Sequence, residues 1–384
     1  MSQRPTAIEL FAGCGGLSTG LLDAGYDVRL GVDIDAPSIV AFDHNHSYRG
    51  TRSIRADVAE LTGAMLLEAA GLKSLDLLAG GPPCQPFSVA GKRLGLSDPR
   101  GHLIAEFVRL AGEIRPRVVL LENVPALQTS HNGDVVRATK AELEELGYVV
   151  RWEILNAADY GVPQARKRLI LVAVRDVVDF AYPPATTHSA TGDDGKRPYL
   201  TAKDALQDLP DVLSKEAESI PNHEPTAHSP SMLATFALLE PGKRDPRSRH
   251  DRLHPGRPGY TLRAGSGNFS PMRPIHYSYD RVVSVRESAR LQGFDDSFIW
   301  PDSLSRLQQY RQVGNAVPPP LAQAVGEHIA EILGWHLDPA ASAGIADTRP
   351  NALTLTPAQR AERRARYHRG GASFGKAIPA THAG

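Results

Sequence analysis

Short apolar or β-branched runs, AIELF, VRLGVD, LDLLAG, RVVLLEN, YVVRWEIL and RLILVAV, recur between Ala7 and Val174, with helical patterns such as LSTGLLDAG and APSIVAFDHN among them. Strands alternating with amphipathic segments at this spacing predict an α/β fold with a doubly wound, mostly parallel, Rossmann-like sheet. Open sheets of this kind bind ligands beyond the carboxyl ends of their strands. Residues that follow the apolar runs are therefore the ones to read for chemistry.

From about Ala181 the character shifts to YPPATTHSATGDDGKRP, a stretch rich in proline, threonine and glycine that reads as a domain boundary. The expected organisation is a main domain over 1–176 plus 311–335, a smaller irregular domain over 177–310, and a basic tail over 336–384. That tail is poor in apolar residues and reads as disordered, with a short helix near PAQRAERRARY. Between Lys243 and Arg290 basic residues outnumber acidic ones, which suggests phosphate contact or a solvated surface. Formal net charge over the 384 residues is zero, which excludes a protein that coats nucleic acid indiscriminately but allows a local basic groove. Two cysteines make no disulfide framework, MSQRPTAIEL lacks a signal-peptide core, and no apolar run reaches a membrane span. The expectation is a cytoplasmic protein.

The first strand-to-helix turn, FAGCGGLSTG, sets Gly13, Gly15 and Gly16 where a backbone must approach a nucleotide closely and a helix N-terminus faces it. Asp33 ends the second run, the usual place for a carboxylate that holds ribose hydroxyls, and Asp57 follows the next extended stretch. NAD, ATP and S-adenosylmethionine all fit at this level, and the absence of GxxxxGK[ST] argues against an ordinary P-loop. Cys84 stands in GGPPCQPFS, a rigid turn directly behind LDLLA, and is a candidate nucleophile. Glu122 emerges behind RVVLL on the same side of the sheet. Arg166 and Arg168 in QARKR precede the last core run. His44 and His46 have near-metal spacing but no further ligand beside them, so they read as a helix surface and no metal is expected. Cys14, Trp152 and Trp300 read as packing residues.

Taken in order, FAGCGG, GPPCQPFS, GKRLGLSDPRGHL, ENV, QARKR, RESARLQGF and QVGNAVPPP resemble the motifs of the C5-cytosine DNA methyltransferases, from about Ile8 to Leu333. The resemblance implies an S-adenosyl-L-methionine-dependent enzyme that leaves S-adenosyl-L-homocysteine and methylates double-stranded DNA in a sequence-specific way. It also implies that the region over 177–310 is a target-recognition domain. Phe11 would stack on the cofactor adenine, Gly13, Gly15 and Gly16 would lie along its methionine part, Asp33 and Asp57 would hold ribose and adenine, and Asn315 would sit near its carboxylate end. Asp33 stands where glutamate is common and is one methylene shorter.

Cys84 would add to C6 of a flipped cytosine, since unaided C5 is too weak a nucleophile to take a methyl group and neither reactant reaches it inside the stack. Glu122 would hold N3, Arg168 would bind O2 and Arg166 would support the pocket. Ser88, Lys92, Arg93 and Arg100 would contact phosphate from a mobile loop, and Thr261 would lie against the DNA near the target. Arg252, Arg257 and Arg263 are the candidates for reading bases. The alternatives are a tRNA cytosine-5 methyltransferase, whose Cys-Phe-Thr signature does not occur here, and a catalytically silent DNA-binding regulator. A restriction endonuclease acting separately and monomeric, nucleoid-associated action complete the expectations.

Overall fold

The computed structural model describes residues 4–83, 99–129, 133–264 and 273–343, together with Thr356 and Ala358. The chain divides into two compact units. One comprises Met1–Ala157, Lys167–Thr186 and Val317–Thr348, the other Ala158–Arg166, Thr187–Ala316 and Arg349–Gly384. The expectation of a disordered tail falls, from residue 344 on, outside the described residues apart from Thr356 and Ala358.

In chain order the elements are β1 (Thr6–Leu10), α1 (Gly16–Ala24), β2 (Asp27–Asp33), α2 (Ala36–His46), β3 (Arg52–Arg55), α3 (Gly63–Ala70), β4 (Leu77–Gly80) and α4 (Pro99–Ile114). They continue with β5 (Val118–Asn123), α5 (Ala126–Thr129), α6 (Asp134–Glu145), β6 (Tyr148–Asn156), β7 (Gln164–Ala165) and β8 (Lys167–Arg175). Next come β9 (His188–Ser189), β10 (Arg197–Pro198), α7 (Ala202–Leu206), α8 (Pro230–Ala237), β11 (Gly259–Tyr260) and α9 (Val285–Leu291). The last described elements are α10 (Arg306–Asn315), α11 (Pro319–Leu333) and α12 (Pro339–Ala343).

The first unit is built on a seven-stranded sheet of order β3-β2-β1-β4-β5-β8-β6. Strands β1 to β5 pair in parallel, whereas β8 runs antiparallel to β5 and β6. The chain reverses its walk across the sheet at β1 and β4, which makes their carboxyl ends the switch point where open sheets bind ligands. TAIEL and VVLLEN are buried along their whole length, and Ile8, Leu10, Leu78, Phe107, Val119 and Leu121 share one core cluster. Helix α11 closes this unit against α1: a Cβ on Gly20 would come within 2.3 Å of Pro319 O, so only glycine lets the two helices approach. Tyr26 Oη donates to Gly326 O at 2.8 Å in the same contact.

The second unit has little regular structure and a small apolar centre of Phe236, Ile275 and Val282. Buried polar groups supply much of its order. Arg281 pairs with Glu287 through two bonds of 2.8 and 2.9 Å, both side chains almost wholly buried. Glu287 also closes the capping box of α9 with Ser284. Trp300 is fully buried among Phe294 and Phe298.

Two readings of the sequence are corrected here. His44 and His46 do not form a helix surface: they are 4% and 0% exposed, and His46 is bonded at both ring nitrogens, to Phe42 O and Thr19 Oγ1. Part of the basic surplus from Lys243 to Arg290 is internal scaffolding rather than surface charge. Arg252, a candidate base reader, is fully buried and spends its guanidinium on Phe236 O, His276 O and Asp280. Arg286 is buried against Pro221 O and Phe298 O, and Arg290 spans Asp208 and Asp296. Charge counting missed this because a domain with a small apolar core orders its loops through buried hydrogen bonds.

Candidate active site

The sheet's carboxyl edge gathers the first unit's chemistry. Behind β1 the chain turns sharply: Phe11 adopts φ 56°, Gly13 φ 56° and Gly15 φ 89°, and Gly15 N donates to Ala12 O. Phe11 is strained there in the way side chains at ligand clamps are. Gly15 has a steric reason as well, since a Cβ there would meet His46 Cε1 at 2.3 Å. A Cβ on Gly13 would point into open space, so glycine there answers the left-handed backbone rather than a close contact. Gly16 opens α1.

Asp33 closes β2 and accepts from Gly13 N at 2.7 Å and from Asp35 N at 2.8 Å. It thereby ties the glycine turn to the next strand. Partial burial raises its carboxyl above the ordinary range, against those amide donors. Asp57 follows β3 and caps a short turn through Ala59 N. Below the turn lies Glu9, which the sequence reading passed over. It is 3% exposed and accepts from both the amide and the hydroxyl of Ser18 in α1. Burial pushes its carboxyl up to about 8. An acid inside a central strand with a serine nine residues on was the available signal.

Glu122 and Asn123 end β5 at the same edge. Arg168, on the neighbouring β8, sets its Nε 2.8 Å from Glu122 Oε1, with both side chains about one-tenth exposed. Gly81 leaves the other carboxylate oxygen its room, because a Cβ there would lie 2.9 Å from Glu122 Oε2. Asn123 Nδ2 donates to Pro82 O at 2.9 Å, fixing the turn that leads to residue 84. Cys84, Ser88, Lys92 and Arg93 themselves lie outside the described residues. Arg100 belongs to α4, but its side chain lies outside the description as well.

Arg166 belongs to the second unit. It is fully buried and donates to Leu262 O at 3.1 Å, Gly314 O at 2.8 Å and Ala316 O at 3.3 Å. It thus knots Leu262, beside Thr261, to the end of α10, where Asn315 is exposed. Thr261 Oγ1 donates to Ala165 O, and buried Gln164 joins Leu262 N to Gln292. Gln164 was not singled out in the sequence, although it opens QARKR. Among the described residues no cluster of histidine, cysteine, aspartate and glutamate could hold a metal, and no helix is long and apolar enough to cross a membrane.

These features form a set: a strained glycine turn tied to a strand-end acid, and a carboxylate and guanidinium pair beside a turn that leads into a cysteine. Glycine turns and strand-end acids at the carboxyl edge of an open sheet are the usual setting of a ligand site in this kind of fold. The sequence model of the family described as C-5 cytosine-specific DNA methylase matches residues 6–331. The chain belongs to that family and is a DNA (cytosine-5)-methyltransferase. It is 34% identical to the type II methyltransferase M1.HphI of Haemophilus parahaemolyticus, over 85% of this chain and 87% of that one. It is 33% identical to M.XorII of Xanthomonas oryzae pv. oryzae, over 86% and 85%. Among solved structures, a DNA modification methyltransferase encoded within a prophage of E. coli matches with TM-score 0.69 at 27% identity, over 86% of this chain and 99% of the other. The Dnmt2 methyltransferase of S. pombe shares the fold at TM-score 0.62 and 19% identity, over 86% and 99%.

Proposed function

We propose that this enzyme methylates cytosine within one short DNA sequence, using S-adenosyl-L-methionine, with Cys84 as nucleophile and Glu122 as the acid that manages the proton at N3. The observation that carries this reading is the Glu122–Arg168 pair beside the Asn123–Pro82 bond, two residues before Cys84. A thiolate there would add to C6 while Glu122 supplies a proton to N3 as negative charge moves onto the ring, and loss of the C5 proton after methylation would break the C6–S bond and release the thiolate. Because Arg168 holds one carboxylate oxygen, the other stays available for the base.

The open space beside Gly13, the carboxylate of Asp33 and the aromatic face of Phe11 suit an adenosyl cofactor, with Asp57 and Asn315 as further candidates. When bound, it supplies an electrophilic methyl group. The target base would have to leave the duplex, because neither Cys84 nor a methyl donor reaches C5 and C6 within the stack. Residues 187–316 of the second unit would read the sequence. The names of the relatives, type II methyltransferases, support a DNA-modification role; a separate restriction endonuclease and one chain acting on one site complete the reading. The neighbour from S. pombe bears on fold alone, so nothing favours an RNA substrate.

The experiment is methylome sequencing of DNA from a host expressing the wild type beside Cys84→Ser. A new 5-methylcytosine mark in one short context, absent in the variant, is the expected result. The same mark at equal level in both strains would remove Cys84 from the mechanism. DNA carrying 5-fluorocytosine at the target should hold a covalent adduct through Cys84, because fluorine cannot leave as a cation.

A further inference from the structure

The turn spanning residues 242–252 is locked more firmly than a surface loop requires. Arg244 and Asp251 face each other as an antiparallel bridge, and Arg244 grips Asp251 with Nε–Oδ1 at 2.6 Å and Nη2–Oδ2 at 2.8 Å. Backbone bonds from Gly242 N to Arg252 O and from Asp245 N to His250 O close the ladder. At the tip Asp245 accepts from Ser248 N, and its carbonyl accepts from Arg249 N. Tyr260 Oη ties the base of the hairpin to β11 through Gly242 O at 2.8 Å.

This scaffold holds Arg249 at φ 59°, a left-handed conformation that a non-glycine residue enters only at a cost. Its exposed guanidinium lines a cleft with His250, Tyr260, Arg263 and Arg273. The cleft's acid, Asp251, is already neutralised by Arg244. Among the described residues neither Arg249 nor Arg263 has an acidic partner, and His250 Nδ1 is buried without a hydrogen bond. Arg273 is held over the Tyr310 ring, 4.5 Å from its centroid, and donates to Thr226 Oγ1.

Phosphate contact does not need such rigidity, since a flexible Lys or Arg serves as well. A fork that must meet O6 and N7 of guanine together needs a fixed direction. We propose that Arg249 is a base-reading residue of this enzyme, presented by the 242–252 hairpin to a guanine of the recognised sequence. The proposal rests on the reading of the chain as a sequence-specific methyltransferase and deepens it. It also replaces Arg252, which is spent inside the fold.

The test compares wild type, Arg249→Asn and Arg249→Lys by methylome sequencing, and by kcat/KM on the wild-type site and its single-base variants. Asparagine tolerates the left-handed conformation, so the hairpin should survive, and matching thermal melts would report that it does. Arg249→Asn should lose about ten- to hundredfold in kcat/KM at the wild-type site and lose its preference at one base position, with lysine failing to restore it. A uniform loss over all sequences that lysine restores would make Arg249 a phosphate contact and overturn the proposal. So would unchanged preference in an active Arg249→Asn. A wild type that methylates cytosine in every context would overturn the sequence-specific reading and this proposal together.

Discussion

Arg168 Nε lies 2.8 Å from Glu122 Oε1 across the antiparallel pairing of β5 and β8, while Gly81 keeps the space against Glu122 Oε2. The Glu122 carboxylate is thus fixed on one side by a charge and on the other by the absence of a side chain.

Removing the charge-bearing oxygen should stop proton handling without disturbing the pair's shape. Glu122→Gln is expected to slow single-turnover methylation by about a hundredfold or more. Arg168→Lys should also fall in rate, because a point charge on a flexible stem cannot reproduce the guanidinium's fixed direction. Single-turnover rates at saturating DNA and cofactor check both, and a rate equal to wild type for Glu122→Gln would exclude Glu122 from the step.

Gly81→Ala places a Cβ 2.9 Å from Glu122 Oε2, closer than such contacts occur, so the carboxylate must swing away. Turnover should drop at least tenfold, roughly what a misplaced catalytic group costs. Cofactor binding, measured by calorimetry, should stay near wild type, since the glycine turn behind β1 is untouched.

Glu9 should make the first unit less stable as pH rises from about 4.5 toward 8. Its carboxyl is raised to about 8 by burial, whereas an unfolded glutamate titrates near 4.5. Its share of stability is therefore full below about pH 4.5 and is lost as pH rises toward 8, at most about 1.4 kcal/mol per unit for one proton. Glu9→Gln, which keeps an oxygen for Ser18, should flatten thermal stability between pH 5 and 8. An identical pH profile for the variant would refute the assignment.

The second unit should weaken in acid. Burial lowers His276 to about 3 and His228 to about 4, so the unfolded chain takes up protons near pH 6.5 that the folded one refuses. For Glu287, burial opposes ionisation, but the Arg281 guanidinium overcomes it and holds the carboxyl below its ordinary value. Stability should fall steadily as pH drops below about 6.5, and His276→Gln should remove part of that slope. Urea melts from pH 7 to 4 would measure it, and a flat wild-type curve would rule it out.

The parallel sheet was legible because its strands are continuous apolar runs, the pattern of strands buried on both faces. Residues of the site that end such runs, Asp33 and Glu122, could be named for the same reason. What sequence could not supply was pairing at a distance. That Asn123 would grip Pro82, that Gly81 would make room for Glu122, or that Arg166 would be consumed by three carbonyls depends on register and turn geometry. The basic run misled for a related reason: Arg252 and Arg281 look like surface charges until their buried partners, Asp280 and Glu287, are in place.

The contact of α1 with α11 joins Tyr26 to Gly326, 300 residues apart in the chain. During synthesis the helix behind the glycine turn is therefore made early but must wait for almost the whole folded part of the chain before Pro319–Leu333 can close over it. A truncated product lacking α11 would leave the α1 surface around Gly20 uncovered, so the sheet's first helix is completed only by the last turns of the folded chain.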